Sequence, residues 1–304
     1  MNQTNSLNRS AALASIAVAM LLVGLKAWAA LSTGSTAMLG SLADTVLDLV
    51  ASVATLAGVW VAAQPADEKH RFGHGKAEAL AAMFQVVLIS ISALTLAFRS
   101  VQQWLAGTRP EGAEGGIAVS VIAMAATLAL LAWQRHVIRK TGSLAISTDH
   151  VHYQSDLLLN LAVIAALALD QYAGVAGADP FFGLAIALWL GWGAWGASQA
   201  AVDQLMDHEW NQERRATFLA AVARHPEIKG LHDLRTRTSG NRDFVQFHLA
   251  VNPEMTIQQA HVVMDEVEAI LAKEFPGVEI LIHPDPEGHV DPTDLSSEEL
   301  LTNR

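Results

Sequence analysis

Two pairs of ionisable residues stand four positions apart inside otherwise apolar stretches: Asp44 and Asp48 in SLADTVLDLV, and His152 and Asp156 in HVHYQSDLLLN. That spacing puts both members of a pair on one face of a helix, a turn apart. An ionised side chain in a lipid-embedded helix costs on the order of 3 kcal/mol by insertion scales, so such groups survive where they face a cavity, a partner or an ion. If the two helices pack together, three carboxylates and one imidazole can surround one divalent ion. The nitrogen favours Zn²⁺, with Cd²⁺, Fe²⁺ and Co²⁺ admissible, over Ca²⁺ and Mg²⁺, which take all-oxygen cages. The competing reading is that these groups lie near the headgroups or bond across helices without metal; matching spacing in two helices weighs against it.

Two further groups invite the same question. Residues 65–76, PADEKHRFGHGK, hold Asp67, His70 and His74 beside Gly73 and Gly75. This flexible loop could fold around an ion, and on residue types alone a solvated polar loop is an equal reading. Near the C-terminus, His232 and His248 lie on adjacent predicted strands and His283 with Asp285 ends a third, so a sheet could gather all four at one edge; His261 could approach from a helix. His208, His225 and His289 read as ordinary satisfied or exposed side chains. With no cysteine in the chain, thiolate sites and disulfides are excluded.

The elements that must position these residues follow from composition. Of 304 residues 52% are hydrophobic and 16% charged, too apolar for an ordinary soluble protein. Residues 10–204 are mostly Ala, Leu, Val, Ile and Gly, whereas 207–304 reads as a soluble domain. Six segments reach the roughly 20 apolar residues that span hydrocarbon: 11–31, 38–62, 79–103, 115–135, 148–170 and 180–203. Connectors are expected at 32–36, 65–76, 107–116, 139–143 and 174–180. Basic residues cluster at the second and fourth connectors, which with Arg9 predicts both termini in the cytoplasm. Residues 1–10 lack the pattern of a secretory signal, so the first apolar run is expected to stay in the mature protein. Lys26, near the outer end of the first span, is expected to snorkel to the interface. The formal charge of −11 argues against a nucleic-acid partner. From Asp207 the pattern predicts helix 213–224, strands 231–238 and 244–251, helix 256–275 and strand 278–283, a small αββαβ (α+β) domain. The expected division is 1–206, 207–290 and a disordered tail 291–304. Gly191, Gly193 and Gly196 spell GxGxxG inside an apolar helix, where close helix packing is the expected role and dinucleotide binding is rejected.

Taken together, SLADTVLD, HYQSD, PADEKHRFGHGKAE, LHDLRTR, FVQFHLAV and IHPDP resemble the cation diffusion facilitator family, in its bacterial ferrous-iron and zinc efflux branch, over nearly the whole chain. The resemblance implies a homodimer in the bacterial inner membrane whose transport site is Asp44, Asp48, His152 and Asp156. It implies a second metal site at Asp67, His70 and His74, and a cytoplasmic binuclear zinc site at His232, His248, His261, His283 and Asp285 near a two-fold interface. Pro284 stands where relatives carry a polar residue, which leaves only a carbonyl as ligand there. Lys76 and Asp207 are implied as a charge interlock at the dimer hinge. The expected mechanism is alternating access with protons competing for the metal ligands, and no GxxxxGK[ST] phosphate loop is present. The rival readings are a membrane-bound zinc hydrolase, for which no HExxH is present, and a membrane-anchored metal sensor.

Overall fold

The computed structural model describes residues 3–33, 36–106, 117–173, 178–289 and 301–302. The expected third connector, 107–116 with Arg109, lies outside them, as do 34–35, 174–177 and most of the tail. The chain forms two units, Met1–Val202 and Asp203–Arg304, a division four residues before the expected one.

The first unit holds α1 Gln3–Thr33, α2 Thr36–Ala62, α3 Ala77–Ala106, α4 Ile117–Thr141, α5 Leu144–Ala173 and most of α6 Ala178–Leu205. Among the described residues, five of these helices are long and apolar enough to cross a bilayer by length and composition. The sixth, α5, has the length but carries Asp149, His150, His152 and Asp156 in its first half. Several helices outrun their apolar stretches, because backbone hydrogen bonding continues through polar residues outside hydrocarbon. Thus α1 starts at Gln3 and α4 runs on through Arg139 and Lys140 until Gly142, at φ 65°, ends it.

The helices are fastened by close approach and by buried polar bonds. At Gly58 a Cβ would lie 2.3 Å from the Cβ of Ala81, so α2 and α3 meet nearly backbone to backbone. Of the GxGxxG residues, only Gly193 lies close to another helix, where a Cβ would meet the Val151 Cγ1 of α5 at 3.1 Å. Asp149, 0% exposed, accepts hydrogen bonds from Ser15 Oγ at 2.7 Å and from Gln85 Nε2 and Gln134 Nε2 at 2.8 Å each. Gln85 also donates to Thr55 Oγ1, so one carboxylate ties α1, α3, α4 and α5 directly and α2 through Gln85. Buried Glu78 accepts from Asn8 Nδ2 and Ser143 Oγ in the same manner.

The second unit contains α7 Gln212–Val222, β1 Gly230–Ser239, β2 Arg242–Val251, α8 Ile257–Glu274, β3 Val278–Pro286 and β4 Leu301–Thr302. The sheet order is β3-β2-β1-β4. A two-residue loop, with Gly240 at φ 61°, joins β1 and β2 as an antiparallel hairpin, and α8 carries the chain over to β3, parallel to β2. Thr256 and Gln259 close a capping box that starts α8. Phe218, Val245, Phe247, Leu249, Val267 and Leu271 form the core, so both helices cover one face of the sheet. The expectation of disorder from 291 onwards is corrected at Leu301 and Thr302, which pair with Leu231 and Gly230; β1 otherwise presents unpaired edge groups that a passing segment can satisfy.

Replacing Asp149 by Ala strands three donors inside the bundle. We expect a loss of roughly 2 kcal/mol, read as a lower thermal midpoint in detergent, with a smaller loss for Asp149→Asn, which keeps one acceptor oxygen.

Candidate metal centre

Helices α2 and α5 pack against each other, and the two sequence pairs meet there. His152 Nε2 lies 2.9 Å from Asp48 Oδ1 and 3.9 Å from Asp156 Oδ2. One ligand atom from each of the three falls within 4.8 Å of the others. Asp44 is outside that group but lines the same cavity of about 420 Å³, into which all six helices contribute side chains. Three members of the expected tetrad are therefore assembled, and the fourth stands a turn away on α2.

Lys26, expected to snorkel, lines this cavity, its Nζ donating to Thr45 Oγ1 at 2.6 Å and to the Ser41 carbonyl at 3.4 Å. The reason is packing: α1 lies along α2, which offers a hydroxyl and a carbonyl within reach of the ammonium.

The connector brings its three residues together. Asp67 Oδ1 accepts the backbone N–H of His70 at 2.6 Å and of Lys69 at 2.9 Å, an Asx turn that folds the loop back. Asp67 is 3.1 Å from His70 Nδ1 and 3.4 Å from His74 Nε2. His74 Nδ1 is 3.2 Å from the Pro65 carbonyl, which favours the tautomer with Nε2 unprotonated, and that Nε2 lies 3.1 Å from His70 Nδ1. Gly73, at φ 81°, supplies the left-handed turn between the two histidines. The His70 N–H bond chiefly holds the Asp67 carboxyl below its ordinary pKa, aided by Lys69 N–H and the His70 ring against partial desolvation.

In the second unit, register does the assembly. His232 pairs with His248 across the hairpin, and His248 with His283 across the parallel pair, which sets three imidazoles in one row. Ring centroids are 5.1 and 4.6 Å apart. Asp285, two residues beyond His283 and buried, meets all three: Oδ2 lies 2.8 Å from His248 Nδ1 and 3.4 Å from His232 Nε2, and Oδ1 3.3 Å from His283 Nε2. One predicted member behaves differently. His261 is 66% exposed on the solvent side of α8 and pairs with Asp265, so it is not brought into the row within one chain. Pro284 sits opposite Leu249 in the ladder. Sequence reasoning missed Asp233, whose carboxylate lies 3.8 Å from His248 Nε2. An irregularity between His232 and Arg235, with Asp233 at φ 48°, turns it, and no periodicity signals that. Of the histidines read as ordinary, His225 is buried on Glu266 and His208 is bonded to the Glu209 carbonyl.

Lys76 stands just before α3, and Asp207, at φ 56°, follows α6; Asp207 Oδ2 is 3.6 Å from Arg237 Nη1 within the second unit.

Comparison with known proteins matches both units. The family model for the cation efflux transmembrane domain covers residues 12–206, and that for the cation efflux protein cytoplasmic domain covers 210–287. The cation-efflux pump FieF of Serratia proteamaculans is 42% identical over 278 residues, 91% of this chain and 92% of that protein. FieF of Klebsiella pneumoniae is 41% identical over 291 residues, 95% of this chain and 97% of that one. Among solved structures, the zinc form of CzrB is 38% identical over 28% of this chain and 98% of its own, with a TM-score of 0.25.

The lowered Asp67 pKa has a sign. A depressed carboxylate stabilises the loop above the ordinary aspartate range and loses that contribution only as pH falls through its lowered value. Amide exchange should find the His70 N–H protected to pH values where an ordinary aspartate is already protonated, and unprotected at every pH in Asp67→Ala.

Proposed function

The chain belongs to the cation diffusion facilitator family of cation efflux transporters, and on that premise we propose that it exports Zn²⁺ from the cytoplasm to the periplasm in exchange for protons. It is a membrane transporter and not an enzyme, which disposes of the hydrolase reading. The observation that carries the proposal is the group Asp48, His152 and Asp156 facing a cavity lined by all six helices.

Asp48 Oδ1 and His152 Nε2 stand 2.9 Å apart, a hydrogen-bond distance at which a proton can bridge them when no metal is bound. A metal ion replaces it, because imidazole and carboxylate bind a cation in their deprotonated forms. Asp156 is the third ligand, and Asp44 completes four after a modest movement of α2. The imidazole nitrogen and the four-ligand set suit Zn²⁺, with Fe²⁺ and Cd²⁺ as weaker claims. Alternating access exposes the group first to the cytoplasm and then to the more acidic periplasm, where protons displace the ion. The basic residues at the second and fourth connectors support a cytoplasmic position for both termini in this scheme.

The connector group, exposed and preassembled, serves as a second zinc site on the cytoplasmic side. Two imidazoles and a buried carboxylate, His232, His248 and Asp285, fit zinc in the cytoplasmic domain, with His283 sharing Asp285. In a homodimer, zinc held there biases the transport equilibrium, with His261 recruited at a second ion and Lys76 and Asp207 as the hinge charge pair.

Full-length protein in liposomes with an acidic interior should accumulate Zn²⁺, and Asp48→Ala should cut the initial rate by about 100-fold, a first-coordination loss at the upper end of what supporting residues cost. Full-rate transport by Asp48→Ala, or transport indifferent to the pH gradient, would contradict the proposal.

A further inference from the structure

A lysine inside an apolar helix needs both hydrogen-bond partners and a balance for its charge. Lys26 has the first: its Nζ is bonded to Thr45 Oγ1 and to the Ser41 carbonyl, and Thr45 in turn donates to Ser41 O at 3.0 Å. These partners are neutral, so they satisfy the donors and leave the charge. Thr45 is 1% exposed and lies in the turn of α2 that begins with Asp44 and ends with Asp48, which fixes where the ammonium stands. The cavity that Lys26 lines also contains Asp44, Asp48, His152 and Asp156. The other basic residue on its wall, Arg99 of α3, is exposed.

We propose that Lys26 is a tethered counter-cation of the transport cavity, a residue that sets metal affinity without ligating metal. The inference rests on the transport reading above and adds a residue to it. Without metal the ammonium offsets part of the negative charge that Asp44, Asp48 and Asp156 bring to the cavity. An arriving divalent ion meets a like charge that cannot leave, because the stem is anchored on α1 and its tip on Thr45. Coulomb repulsion at cavity distances is far larger than between exposed charges in water, so the bound state is raised relative to the empty one. Weaker binding favours turnover, since an exporter must let its cargo go: an acidic cavity without an internal cation would hold Zn²⁺ longer at each cycle.

A lysine that merely staples α1 to α2 would behave differently. Its loss would lower the amount of active protein and the maximal rate, and leave the apparent KM unchanged or raised. The counter-cation role demands that KM and maximal rate both fall.

The test uses full-length protein in liposomes at a fixed pH gradient, with Zn²⁺ alone as probe and initial rates measured across Zn²⁺ concentration. For Lys26→Gln we expect KM to fall by about threefold or more, with a reduced maximal rate, because a repulsive charge has gone. Lys26→Arg, which keeps the charge, should hold KM within about twofold of the parent. If Lys26→Gln fails to assemble, Lys26→Met, similar in length and apolar, carries the same expectation. An unchanged or raised KM in the neutral variants overturns the inference, as does an equal fall in Lys26→Arg. Absence of Zn²⁺ flux in the unsubstituted protein overturns the transport reading itself, so the two failures are distinguishable.

Discussion

A carboxylate among apolar helices must be satisfied by donors or neutralised by a cation, and α5 meets that requirement in two opposite ways within two turns. Asp149 is closed: three donors from three other helices converge on it, and no water-accessible surface remains. Asp156, seven residues on, is open. Its partners His152 and Asp48 are themselves titratable, and all three face a cavity. The first arrangement fastens helices, because any relative movement would break bonds that water cannot replace. The second accepts exchange, because its charge can be balanced by protons or by a metal ion.

Outside the bundle the same ligand types are assembled by backbone geometry. In the connector, two peptide N–H groups clamp Asp67 and a left-handed glycine turns His74 back towards it. In the sheet, strand register aligns His232, His248 and His283, and Asp285 bridges them. In both, backbone geometry brings the candidate ligands within reach of one another. Ligand groups already gathered lower the ordering cost of binding an ion, which is the physical basis of the zinc sites proposed for both.

Much of this was legible in the chain. Length and hydropathy locate the helices, and the four-residue spacing of Asp44 with Asp48 and of His152 with Asp156 marks the residues that line one cavity, because buried charge is costly. What was not legible depends on packing between distant segments. Ser15, Gln85 and Gln134 are neutral polar residues up to 134 positions from Asp149, and nothing local marks them as its partners. Lys26 lies near enough to a helix end to suggest snorkelling, and only the neighbouring helix supplies the hydroxyl and carbonyl that its tip meets. His261 has the same chemistry as His248 but rides on the outer side of α8, whereas Asp233 is recruited by a strand irregularity that alternation does not foresee. Leu301 and Thr302 sit in an acidic, polar tail whose composition suggests disorder, yet an available sheet edge pairs them.

The central claim is that Asp48, His152 and Asp156 exist to hold a divalent cation inside the bundle. Anomalous diffraction at the zinc edge from crystals of the full-length protein grown with Zn²⁺ tests it most directly. The account predicts a peak in the cavity about 2.0–2.2 Å from His152 Nε2 and from oxygens of Asp48 and Asp156. Peaks confined to the connector and the cytoplasmic sheet, with His152 still bonded to Asp48 at zinc saturation, would contradict it.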